Sequence, residues 1–130
     1  MDSARLRFAE ARLTAVQAHG GKGEVLYRRV AERQAGSTIN FIDFTVVPVG
    51  VSVGTHRHGP DDEEIYIILE GTGVMTVDGV EVAVRAGDVV VNRPGGTHGL
   101  TNTGETPIKM AVIDVATGDR PYSEPVNVGG

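Results

Sequence analysis

From Glu24 onward, apolar and polar positions alternate in short runs broken by Gly, Pro and Asp. Successive strand side chains point to opposite faces, so this period of two predicts strands joined by tight turns. The runs are VLYRRV (25–30), TINFIDFTVVP (38–48), the stretch from Val49 to His58, EIYIIL (64–69), VMTVDGVEVAV (74–84), DVVVN (88–92), His98 to Asn102 and IKMAVIDV (108–115). Gly50 and Gly54 predict a bend or bulge in the 49–58 stretch. Asp78-Gly79, between two alternating runs, is the sequence of a type I′ hairpin turn. EIYIIL and TINFIDF are apolar on both faces, which predicts one face in the core and the other against a further surface. Helical spacing occurs only in residues 1–18, where Leu6, Ala9, Leu13 and Val16 recur every three or four positions. It predicts a short helix or a loose N-terminal arm over 1–23, broken at His19-Gly-Gly-Lys-Gly23. The polar, Pro/Gly-rich segment 116–130 predicts a surface strap. Some eight short strands without a repeat or linker predict a single all-β domain over 1–130, a sandwich or barrel.

Composition narrows the function classes. The 130 residues fit one domain with a true core, and 40% hydrophobic with 22% charged residues is an ordinary globular balance. A net charge of −5 offers no basic footprint for nucleic acid or an anionic membrane. Cysteine is absent, so disulfides, thiolate metal sites and cysteine nucleophiles are excluded. No apolar stretch approaches a membrane span, and the charged start MDSARLRFAEARLTAV lacks the apolar core of a secretory signal. A cytoplasmic location is the expectation. Gly20-Gly-Lys-Gly23 lacks the full phosphate-loop pattern.

The chemistry-bearing stretch is HRHGPDDEEIYIILEG, residues 56–71. His56 and His58 are two positions apart, so on a strand both imidazoles project to one side, as a metal chelate requires. Glu64 opens the next strand and His98 follows further on. Three His and one carboxylate form a nitrogen/oxygen site suited to Fe, Mn, Ni, Co, Zn or Cu(II), and too hard for Cu(I). Asp61, Asp62 and Glu63 read as solvated or turn-capping carboxylates. His19 reads as a surface or arm histidine.

Two motifs make the chain resemble the cupins, small double-stranded β-helix or jelly-roll barrels. Gly50, His56, His58, Glu64 and Gly71 follow the first cupin motif, G-x5-H-x-H-x(3–4)-E-x6-G, with five residues between His58 and Glu64. The x6-G step selects Glu64 over Glu63. Gly87, Gly95, His98 and Asn102 follow the second motif, although its proline position holds Arg93 and Pro94 comes one place later. The resemblance covers about residues 45–115. It implies one divalent transition metal per chain on His56, His58, Glu64 and His98. It also implies a small-molecule substrate and a homodimer, with no nucleic-acid or membrane partner. Two chemistries fit. The first expectation is an oxygenase-type reaction; the alternatives are a Lewis-acid isomerase, lyase or polyketide cyclase, or a non-catalytic binding cupin. Tyr66 shares strand parity with Glu64 and should face the interior near the metal. Arg93, just ahead of the His98 loop, is a candidate grip for a substrate carboxylate. Tyr66 and Arg93 are thus the candidate catalytic residues. Phe41, Phe44, Met75 and Leu100 are candidate apolar walls.

Overall fold

The computed structural model describes residues 3–32 and 37–117. Of the strap expected over 116–130, only Ala116 and Thr117 are described, and the rest lies outside the described residues. Ten strands make up the described chain: β1 Thr14–Val16, β2 Val25–Glu32, β3 Ile39–Val47, β4 Ser52–Arg57, β5 Asp62–Glu70, β6 Thr72–Val77, β7 Val80–Arg85, β8 Val89–Asn92, β9 Thr97–Thr101 and β10 Ile108–Ala116. They form two antiparallel sheets, ordered β1-β2-β3-β10-β5-β8 and β4-β9-β6-β7. This is the expected jelly roll. Asp78 and Gly79 both have positive φ, as the type I′ turn demands. The bulge foreseen in the 49–58 stretch falls between Val53 and His56. Among the described residues, no helix is long and apolar enough to cross a membrane.

The interior is graded along the strands. On β5 the inward side chains run Glu64, Tyr66, Ile68, and opposite them on β10 run Asp114, Val112, Met110. On β3 the series is Asp43, Thr45, Val47. One end of the barrel is therefore polar and the other largely apolar, closed by Val47, Met75, Leu100 and Ile108. Burying each such side chain stabilises the fold by roughly 1.5–3 kcal/mol. That apolar end fixes the strand register and so aims the polar end. Met75 and Leu100 belong to this core and are not among the residues lining the cavity beside Glu64 and Tyr66.

The N-terminal segment departs from its helical spacing. A single 3-10 turn covers Phe8–Glu10, and β1 then pairs with the edge of β2. Leu6 and Val16, two members of the spacing, remain exposed, so a helix would have buried little there. The open hydrogen bonds of the β2 edge decide for the strand. Phe8 stacks on Phe44 with ring centroids 4.7 Å apart. Phe44 lines a surface pocket with Phe8's neighbours Arg7 and Glu10, so it is not the wall of the interior cavity expected of it.

The arm is then locked to β4. The Gly54 N–H donates to the Ala18 carbonyl at 2.9 Å, and the Ser52 N–H donates to the Lys22 carbonyl at 2.9 Å. A Cβ on Gly54 would run into the His19 carbonyl oxygen, backbone against backbone. Gly54→Ala should therefore destabilise the protein by roughly 1–3 kcal/mol, the usual cost of overpacking, as measured by chemical denaturation. Full stability would show that the arm yields.

Candidate metal centre

The polar end of the barrel gathers the four expected donors. His56 on β4 stands directly opposite His98 on β9, so their rings share a face. His58 lies just past β4, held by its N–H donating to the Gly96 carbonyl at 3.1 Å. Glu64 comes from β5 in the other sheet, so the site joins both sheets. His56 Nε2 is 3.2 Å from His58 Nε2, and Glu64 Oε1 is 3.4 Å from His58 Nε2 and 3.3 Å from His98 Nε2. The five-residue step between His58 and Glu64 is taken up in the turn, and Glu64 stays in the cluster.

Tautomers decide what these distances mean. His56 Nδ1 is 2.8 Å from the Gly54 carbonyl oxygen, which can only accept, so Nδ1 carries the proton. His58 Nδ1 lies 3.1 Å from the Asp62 carboxylate and is likewise the protonated nitrogen. In neutral rings both Nε2 atoms are then bare lone pairs facing each other, with no hydrogen between them. Burial, then the neighbouring histidines, lowers the His56 pKa and keeps that ring neutral at pH 7. Such an arrangement suits a cation. Donors about 2.0–2.2 Å from one ion lie about 3 Å apart when adjacent, close to the observed separations. All four donor atoms lie within 4.8 Å of one another. The residues fit a divalent metal.

Supporting groups surround the donors. Burial alone would raise the Glu64 carboxyl, but the hydrogen bond to His98 and the charges of His58 and His98 bring it below its ordinary value. The Tyr66 hydroxyl donates to Glu64, and its buried ring meets His98 edge-on at 5.7 Å. Burial and the Glu64 charge push the Tyr66 pKa well up, so the hydroxyl keeps its proton. Asp62, expected to cap or solvate its turn, instead reaches back to His58. Behind it stands Asp114, whose carboxyl is raised to about 6 by burial and by its hydrogen bond to Asp62. Asn40 Nδ2 donates to Asp114 at 2.8 Å, completing a chain Asn40–Asp114–Asp62–His58 across three strands. Asn102 has a structural part. Its amide donates to the Val47 and Thr106 carbonyls at 2.9 Å.

His19 is exposed, as expected, yet it is not remote. Its ring stacks on His56 at 3.5 Å between centroids. A cavity of about 300 Å³ opens there, lined by His19, Glu64 and Tyr66 together with Phe41, Asp43 and Arg29. Phe41 is thus a wall, as expected. Arg93 is exposed and lines a different depression, of about 250 Å³, beside Asn92 and His98. The structure does not bring it into the Tyr66 cavity. Arg29 escaped the sequence reading and His19 was read as a surface or arm histidine because both fall outside the motifs; Asp62, inside the first motif, was read only as a turn carboxylate.

A small jelly roll with a three-histidine, one-carboxylate cluster at its polar end defines a metal-capable β-barrel. The chain belongs to the cupin family: residues 43–115 match the Cupin domain. It is 36% identical over 95 residues to an oxalate-binding protein of Thermotoga maritima, covering 72% of this chain and 78% of the relative. It is 27% identical over 108 residues to tetracenomycin polyketide synthase protein TcmJ of Streptomyces glaucescens, covering 73% and 72%. The crystal structure of a predicted oxalate decarboxylase from Thermotoga maritima superposes with a TM-score of 0.82 at 31% identity, covering 88% of this chain and all of that one.

Replacing His58 and His98 together with Ala should abolish stoichiometric metal binding, as read by elemental analysis after dialysis. Asp62→Ala should leave the stoichiometry but weaken affinity about 10–100-fold, the usual effect of losing a group that orients a ligating imidazole. Glu63→Ala, in the same turn but outside the cluster, should change nothing. Equal affinity in the wild type, Asp62→Ala and Glu63→Ala would remove Asp62 from the centre.

Proposed function

We propose that this protein is a metal-dependent cupin enzyme that binds a small organic acid through its oxygens and acts on it without redox change, as an isomerase, lyase or cyclase does. The observation that carries this reading is the clustering of four metal-capable donors, one of which, Glu64, also lines the cavity beside Tyr66. A divalent metal held by His56, His58, Glu64 and His98 would leave coordination positions for substrate oxygens and would polarise them. The relative named for oxalate binding supports an acid ligand, since two oxygens of one molecule can fill adjacent positions.

The chain's own groups have separate tasks. Glu64 supplies the negative charge that offsets part of the ion's. Tyr66 pins Glu64 through a hydroxyl that stays protonated, so it orients the carboxylate and presents no phenolate to the cavity. His19, whose pKa burial lowers, adds a neutral imidazole at the rim.

Elemental analysis of protein purified without an affinity tag, followed by assays with and without oxygen, tests this reading. About one divalent ion per chain and oxygen-independent turnover of an organic acid are expected. Iron together with substrate-dependent oxygen uptake would overturn it in favour of an oxygenase. We further propose that a second copy covers the outer face of the six-stranded sheet, where Ile65, Ile67 and Ile113 are half-buried and Leu69 and Val89 exposed. Light scattering should then give a dimer at micromolar concentration; a monomer would remove the proposal.

A further inference from the structure

The far wall of the metal-side cavity carries a second polar device that the metal does not use. Arg29 on β2 and Asp43 on β3 are direct cross-strand partners. The guanidinium donates twice to Asp43, from Nε at 2.9 Å and from Nη2 at 3.1 Å. Its Cζ also lies 3.8 Å from the centroid of the Phe41 ring. An arginine held on two sides has lost most of its rotamer freedom before any ligand arrives. The fork has further N–H groups to donate beyond the two that Asp43 takes. Asp43 is 8% exposed, while the Arg29 side chain is 41% exposed, so the cation and not the carboxylate is the accessible half of the pair.

Register gives the scale. Arg29, Asp43, Val112 and Tyr66 form one cross-strand row over β2, β3, β10 and β5. Three strand spacings of about 4.8 Å place the Arg29 and Tyr66 backbones about 14 Å apart along the sheet. Between them the row is apolar at Val112, with Met110 beside it in the same cavity. The accessible half of the Arg29–Asp43 pair thus stands at one end of the cavity, Val112 and Met110 lie in the middle, and Glu64, one of the four donors, lies at the other end. The cavity's volume of about 300 Å³ far exceeds what a two-carbon acid fills.

We propose that the ligand is an organic acid longer than oxalate, with a chelating oxygen head at the metal, an apolar middle and a distal anionic group on Arg29. This deepens the function proposed above and rests on it. Arg29 is then the residue that sets the length and charge of the ligand.

Three probes separate the two ends. Oxalate tests the metal end alone. 2-Oxohexanoate and 2-oxoadipate share a chelating head and a chain length and differ in the distal carboxylate. Binding to cobalt-loaded protein is measured by titration calorimetry. In the wild type, 2-oxoadipate should bind at least about tenfold tighter than 2-oxohexanoate, the scale of one charge-assisted bidentate contact. The double substitution Arg29→Gln with Asp43→Asn removes both charges together, so no buried carboxylate is left unpaired. It should erase the 2-oxoadipate advantage and leave oxalate binding within about twofold. Equal binding of the two oxo acids by the wild type, or an advantage that survives the double substitution, would overturn the Arg29 assignment while oxalate binding upholds the metal end. Failure of all three probes to bind the loaded wild type would overturn the organic-acid reading, and this inference with it.

Discussion

When both rings are neutral, the Nε2 lone pairs of His56 and His58 face each other at 3.2 Å. Each is put there by its own ring's other nitrogen, which donates to Gly54 or Asp62. Half-buried lone pairs pointing at each other repel and have lost part of their hydration. The fold tolerates the arrangement because the neighbouring strands are fixed elsewhere, by an apolar core at the opposite end of the barrel. A cation between the donors turns the repulsion into ligation. The rest of the site follows from this constraint: a carboxylate to reduce the charge, a tyrosine to hold that carboxylate, and an aspartate to hold a ring.

Strand geometry links that core to the site. The same β5 that places Ile68 in the core places Tyr66 and Glu64 at successive inward positions, and β10 runs beside it from Met110 to Asp114. A one-residue slip would send Glu64 outward and Ile65 inward. The energy opposing such a slip comes from the apolar end, while its penalty in chemistry would fall at the polar end. Stability and site geometry are therefore one property of the strand pairing. Three of the four candidate ligands are carried on strands and His58 lies just past one, which explains how three strands from two sheets bring donor atoms a few ångströms apart.

The sequence made the strand-borne part of this legible. Period two put His56 and His58 on one side, and the step to Gly71 chose Glu64 over Glu63. The Asp78-Gly79 turn and the bulge near Gly54 were also readable, because both are local backbone requirements. What stayed hidden depends on contacts distant in sequence. Asp62 looks like one of several turn carboxylates, and nothing in DDEE distinguishes the one that meets His58. Arg29 and Asp43 become a pair only once β2 and β3 align. The arm carried a helical spacing, but a free strand edge and a stacking partner in Phe44 outweighed it. His19 belongs to no motif and reaches His56 because Gly21 and Gly54 let two backbones touch.

The three histidines are not equally prepared for a metal. His56 and His58 each have a fixed Nδ1–H acceptor, so their Nε2 lone pairs are set in advance. His98 is buried, yet its Nδ1 has no hydrogen-bond partner among the described residues, and neither does the amide of nearby Asn92. Its Nε2 instead meets the Glu64 carboxylate at 3.3 Å, an acceptor, so a proton there is favoured. A ligating His98 must give up that Nε2 proton, and Glu64 must exchange a hydrogen bond for a coordinate one. Loading a metal would thus ask more rearrangement of the His98–Glu64 pair than of the His56–His58 pair. The chelating HxH sequence supplies the preset half of the centre, and the half delivered from β5 and β9 is the one that rearranges.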